Sequence, residues 1–281
     1  MDNKVLYKSD DFLEDNSSLK EISICVGADG YSFACVKPES REIEAFMHEP
    51  ISLQSSSMHE YKFESVLLNN EWLTEPEYSK VNVLLVNGSA AFVPEECFSD
   101  ISLDKYLVPT LGEDSELRYM KIEDKPLYLV FESFLWLETM LRQYFKSNDF
   151  RFSHILSALT DHAETTKKNI VVSCCLTQNH LYVSAVKSGL ELVNYTSVNV
   201  ASKEDILYYL LKQIRSLSAS PNEVSINFSG EVESTFINLV KSNLRDYEIV
   251  VCKEGVSWDL NGQKDNRTKH YNLLSLCQCG S

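Results

Sequence analysis

Three polar corners interrupt the apolar runs of this chain, and they are where its residue types could meet a ligand. Gly27-Ala28-Asp29-Gly30 separates two apolar stretches. Gly and Asp tolerate positive φ, so the tetrapeptide reads as a hairpin turn. A turn of this kind can also aim backbone N–H groups at a phosphate. Ser173, Thr177 and Gln178 flank a second corner, polar enough to meet a phosphate but without glycine. Ser229-Gly230-Glu231 forms a third, which reads most simply as a strand-to-helix junction. The spacing excludes several other chemistries. The chain has no G-x-S-x-G elbow and no G-x-x-x-x-G-K-[ST] loop. Its six His are scattered, and His154 and His162 lack a third ligand at metal spacing. None of its eight Cys falls in a C-x-x-C pair, and Cys277-Gln278-Cys279 reads as a terminal pair.

The elements that must position these corners are set out twice. Residues 21–47 and 169–195 share a pattern, and an offset of 148 places Ile22 on Ile170 and Ile24 on Val172. Each stretch reads as strand, tight turn, strand, turn, strand. In the first half, strands are expected at Glu21–Val26, Tyr31–Val36 and Glu42–Met47, a helix at Tyr61–Leu68 and a strand at Val81–Val86. Asn87-Gly88 signals a hairpin. Strands at Glu116–Ile122 and Leu127–Phe131 precede an amphipathic helix over Glu132–Phe145, and Phe152–Leu156 returns to a strand. The second half continues with a helix over Ser202–Leu217, its Ser202 and Asp205 at capping-box spacing. A strand at Val224–Phe228, a helix at Ser234–Leu244, a strand at Glu248–Cys252 and a short helix at Tyr271–Cys277 complete it. The expected units are an irregular arm over 1–19, a first lobe over 20–160 with inserted elements, and a second lobe over 161–281. A cleft between two lobes is the expected place for function.

Composition narrows the class. Of 281 residues, 44% are hydrophobic and 24% charged, which suits a globular chain of about two domains. The net charge of −15 argues against an extended nucleic-acid surface, which needs clustered Lys and Arg. Apolar stretches run far short of the ~20 residues that span a bilayer. The Cys fall largely in apolar strands, as expected of a reducing cytoplasm.

The order βββ-α-β-α-β, used twice, resembles the actin, sugar kinase and Hsp70 superfamily. Ile22-Ser23-Ile24-Cys25-Val26-Gly27, Ile170-Val171-Val172-Ser173-Cys174-Cys175 and Ser225-Ile226-Asn227-Phe228-Ser229-Gly230 carry the likeness. The stretch Val83–Phe98 is similar to an uncharacterised family of Bacteroidetes proteins described as actin-like ATPases. The resemblance implies an α/β protein of two duplicated ribonuclease H-like lobes, each a mixed five-stranded sheet flanked by helices. It implies ATP and Mg²⁺ in the cleft, with Gly27, Asp29, Gly30, Ser173, Thr177, Gln178, Ser229, Gly230 and Glu231 as the candidate nucleotide contacts. The superfamily places an Asp at the end of each lobe's first strand. On the offset of 148 those positions hold Cys25 and Ser173, so no catalytic residue is assigned. The expectation is a non-catalytic scaffold, adaptor or regulator with a protein partner. The alternative is an active ATPase or kinase that draws carboxylates from Asp29 and Glu231.

Overall fold

The computed structural model describes residues 5–9, 12, 20–51, 57–109, 114–147, 149–161, 168–177, 179–187, 191–252 and 267–278. Gln178 lies outside them. Near-continuous Val, Ile, Leu and Phe runs build two central sheets, because strands covered on both faces need no polar side.

The first sheet contains β1 (Val5–Lys8), β2 (Lys20–Gly27), β3 (Gly30–Val36), β4 (Ile43–Pro50), β5 (Tyr78–Val86) and β9 (Phe150–His154), in the order β1-β4-β3-β2-β5-β9. The second contains β10 (Ile170–Thr177), β11 (His180–Lys187), β12 (Glu191–Asn199), β13 (Val224–Gly230) and β14 (Glu248–Val251), in the order β12-β11-β10-β13-β14. Without β1, the two sheets have one topology: an antiparallel three-strand meander followed by two parallel strands on the opposite side. The duplication expected from the sequence is therefore present in the pairing. The strand at Val5–Lys8 was not expected; it adds an edge to the first sheet by pairing with β4.

One face of the first sheet buries Ile22, Ile24, Tyr31, Phe33 and Met47. These pack with Phe63 and Leu67 of α1 (Ser57–Leu68) and Leu137 and Leu141 of α2 (Leu135–Tyr144). One face of the second buries Val172, Leu181, Ile226 and Phe228 with α4 (Lys203–Ser216) and α5 (Ser234–Asn243). Ser202 caps α4 through the expected box with Asp205. The remaining faces meet α3 (Ile155–Asp161) and α6 (Arg267–Gln278). Ala34, Val36, Phe46, Leu273, Leu274 and Cys277 form the apolar contact of α6 on the first sheet. On its other side α6 lies against β13.

A third sheet, β6 (Ala90–Pro94), β8 (Leu127–Phe134) and β7 (Ser115–Lys121), is inserted between β5 and α2. Two expectations change here. Asn87-Gly88 does not close a β5–β6 hairpin, since β6 pairs with β8. Asn87 instead turns the chain out of the sheet: its Nδ2 donates to Glu132 O at 2.7 Å, and its carbonyl accepts from His154 Nε2 at 2.9 Å. Glu132–Phe134 ends β8 rather than opening the helix, because β7 supplies ladder partners through Phe134.

Candidate functional site

The two first strands end at equivalent ladder positions. Gly27 pairs with Gly30 at one and Thr177 with His180 at the other. This fixes the true offset of the repeat at 150 (177 − 27), not 148. Strand alternation has a period of two, so a slip of two residues leaves every apolar face unchanged and sequence pattern cannot detect it. The correction moves the counterpart of Cys25 from Ser173 to Cys175. Ser173 lies two residues back along β10, about 7 Å deeper, and is buried.

Each glycine of the candidate set has a local reason. At Gly30 φ is +148°, and a Cβ would fall 2.4 Å from Glu49 O. At Gly230 φ is +86°, and a Cβ would fall 2.0 Å from Leu176 O. Gly230 therefore lets the end of β13 press against β10, where Glu231 N donates to Leu176 O at 2.7 Å. Gly27 is less constrained, with only the flexible end of Asp29 close to its missing Cβ.

The structure brings Asp29, Thr177, Gly230 and Glu231 to one seam between the lobes, with Cys25 and Cys175 beneath them. Helix α6 runs through that seam. Lys269 Nζ lies 2.9 Å from Glu231 Oε1 and 3.5 Å from Asp29 Oδ2, tying the two lobes' corners to one ammonium. One turn further on, Asn272 Nδ2 donates to Cys175 Sγ at 3.2 Å and Ser229 Oγ at 3.1 Å. The space left among these groups is about 40 Å³. Thr177 serves its own turn, its hydroxyl reaching His180 O at 3.5 Å.

Both cysteines are held as neutral thiols. Burial pushes Cys25 well above the usual thiol range, Asp29 and Cys175 add to this, and Lys269 opposes it. Burial likewise drives Cys175 up to about 12, against hydrogen bonds from Ser229 and Asn272. These positions do not fit the magnesium that the superfamily implies. A hard cation takes oxygen ligands, whereas both strand ends offer a neutral thiol. The two nearby carboxylates already share Lys269. Among the described residues, no group of three His, Cys, Asp or Glu could hold a metal.

A second hollow of about 950 Å³ opens beside the seam on the second lobe. Gly230, Glu231, Thr177, Ser202, Lys203 and Lys269 are among its walls. It is large enough for a nucleoside-sized ligand.

The expected helix at Tyr271–Cys277 is present, but α6 begins a turn earlier, at Arg267, and so takes in Lys269 and His270. Lys269, Asn272 and Leu273 recur at helical spacing and carry the signal for that start. The sequence reading also left His154 without a role. His154 is buried; its Nδ1 accepts from Leu156 N at 3.2 Å, at the start of α3, while Nε2 donates to Asn87 O. Burial lowers its pKa to about 4, so the ring stays neutral.

Two lobes of this topology, joined along a seam lined by their corners, define the actin-like ATPase fold. A Bacteroides thetaiotaomicron protein with actin-like ATPase fold and unknown function superposes with a TM-score of 0.76, covering 96% of this chain and 98% of that one at 16% identity. The ethanolamine utilization protein EutJ from Carboxydothermus hydrogenoformans superposes with a TM-score of 0.52, covering 96% and 94% at 7% identity. The family of proteins of unknown function DUF3822 matches residues 9–247, and the chain belongs to that family. No curated protein matches it significantly. Among the described residues, no helix is long and apolar enough to cross a membrane.

Proposed function

We propose that this protein is a non-catalytic member of the actin-like fold, acting as a scaffold, adaptor or regulator through contacts with a protein partner in the cytoplasm. The observation that carries the reading is the pair Cys25 and Cys175, neutral thiols at both strand ends where a metal-orienting carboxylate would stand. Phosphoryl transfer depends on charge stabilisation by positioned metal and polar groups, and loss of such a group costs several kcal/mol of barrier. The seam has further restraints. Phe92 of the inserted sheet packs on Tyr195 of β12 at 5.0 Å, Ser197 donates to Gly88 O at 2.9 Å, and Thr160 bonds Ser184 at 2.9 Å. These contacts resist the lobe movement that a turnover cycle uses.

A second reading has its own support. The 950 Å³ hollow beside Gly230 suits a nucleoside, and an active ATPase or kinase would then draw on Asp29 and Glu231 after displacing Lys269. Thermal unfolding with excess Mg-ATP, Mg-ADP or EDTA separates the two. Ligand at about 100 times its Kd would stabilise the fold by ~2.7 kcal/mol. No shift at millimolar nucleotide is the expected result. A magnesium-dependent shift, with hydrolysis lost in Asp29→Ala, would establish the second reading.

A further inference from the structure

The seam contains a pair of histidines that neither its fold nor its corners require. His270 of α6 faces His48 of β4 with ring centroids 4.8 Å apart, and Phe46 closes another side at 4.9 Å. One hydroxyl serves both rings: Ser32 Oγ lies 2.8 Å from His48 Nδ1 and 3.4 Å from His270 Nδ1. It can donate to one neutral ring and accept from the other. Both residues are buried, and His270 Nε2 has no hydrogen-bond partner among the described residues. Gly30 makes room for this pair, since a Cβ there would fall 3.0 Å from His48 Cε1.

We propose that the lobe seam is acid-labile, with protonation of His270, packed against His48, releasing α6 from the first sheet. A proton on His270 places an imidazolium in a buried site, against the His48 ring and beside the ammonium of the adjacent Lys269. Among the described residues, these line the seam beside His270: strand β2 brings Cys25, the β2–β3 turn Asp29, β10 Cys175, the residue after β13 Glu231, and α3 the apolar Ile155. Glu49 follows His48 on β4 and points to the opposite face by strand alternation. Asp29 and Glu231 are engaged by Lys269. Burial, His48 and Lys269 together hold His270 well below its ordinary range.

The sign follows from linkage. A base held below its free value is neutral when docked and gains its proton when released. Docking is therefore complete above the free value of about 6.5 and weakens up to tenfold for each pH unit below it. The inference does not depend on whether the seam binds nucleotide.

Hydrogen exchange of the full-length protein, corrected for intrinsic pH dependence, tests it. Between pH 7.5 and 5.5 the protection of residues 267–278 is expected to fall about tenfold. That of β10 stays constant, and His270→Gln keeps α6 protected throughout. Three results overturn it: α6 protection that does not change with pH, an equal fall in His270→Gln, or α6 and β10 losing protection together. Should His270→Gln fail to dock α6 at pH 7.5, the imidazole resonances of the unmodified protein decide. A His270 midpoint clearly below 6 supports the proposal, and one at or above 6.5 overturns it.

Discussion

The corner of the first lobe and the corner of the second occupy the same place in the same topology and are built by different means. The Gly27–Gly30 turn is flanked by two glycines, and Asp29 reaches Lys269 from it. The Thr177–His180 turn has no glycine and is held from its side. His180 Nδ1 and Nε2 bond Asn199 Oδ1 at 2.9 Å and Ser197 Oγ at 2.8 Å. Directly below, the two lobes agree again, each with a cysteine, half-buried at Cys25 and buried at Cys175. The strands, which supply the core, have kept the repeat, while the turns have been rebuilt for contacts within the chain. A corner that presents phosphate-binding backbone needs glycine and open space, and neither survives on both sides.

The sharpest way to break this comparison is at its glycines. Gly230→Ala is expected to destabilise by about 3 kcal/mol or more, because the new Cβ collides with the backbone of Leu176 at a positive φ. Gly27→Ala meets only the movable end of Asp29 and should cost under about 1 kcal/mol. Chemical denaturation of both variants measures the contrast. Equal costs would mean that the first corner, too, is fixed by backbone contact.

Acid separates the histidines that support the corners. His154 holds the chain leaving β5 and is neutral down to about pH 4 in the fold. Its unfolded value is near 6.5. Stability from this group is fully present above pH 6.5 and lost progressively as pH falls toward 4, by about 3 kcal/mol. His154→Gln should flatten that part of the stability-against-pH curve. Burial also lowers His180, against the hydrogen bond its ring donates to Asn199 Oδ1, but it lies nearer the surface and His180→Ala should change the curve little.

Asn272 reaches both the cysteine and the serine of the second lobe. Asn272→Ala removes those bonds from buried partners and should cost about 1–3 kcal/mol. Cys175 should then react faster with a small thiol reagent while Cys25 does not change. Equal acceleration would mean that α6 guards both cysteines as a body rather than one through its side chain.

How much of this was legible in the sequence follows from what a periodic pattern encodes. Alternation in Ile22, Ile24 and Val26 and in Ile170, Val172 and Cys174 fixed which side chains enter a core, and the order of elements fixed the duplicated fold. Pattern does not name partners. Asn87-Gly88 looks like a hairpin, yet β6 pairs with β8, thirty-odd residues away in sequence. Glu132-Ser133-Phe134 fits the helical stripe that follows, yet the ladder with β7 claims it. The offset of 148 placed Ser173 at the strand end because a two-residue slip preserves every face, and only the turn pairing reveals Cys175. Lys269, His270 and Asn272 were invisible as a site because each matters through a residue far away in the chain: Asp29, His48 and Ser229.

Lys269→Met is the mildest test and bears most directly on the seam. The side chain of Lys269 is 14% exposed, and Asp29 and Glu231 are more open, at 18% and 26%. Partly hydrated pairs of this kind contribute on the order of 1 kcal/mol, and methionine keeps most of the packing of the stem. Stability should therefore fall by less than about 1 kcal/mol, and the loss should shrink in high salt. If Lys269 merely neutralises the two corners, added magnesium should leave the variant's melting temperature unchanged. If magnesium restores it in Lys269→Met and has no effect on the unmodified protein, the ammonium has been standing in for a cation between the lobes. The second corner would then have kept, in Glu231, an acidic function that its strand end has lost.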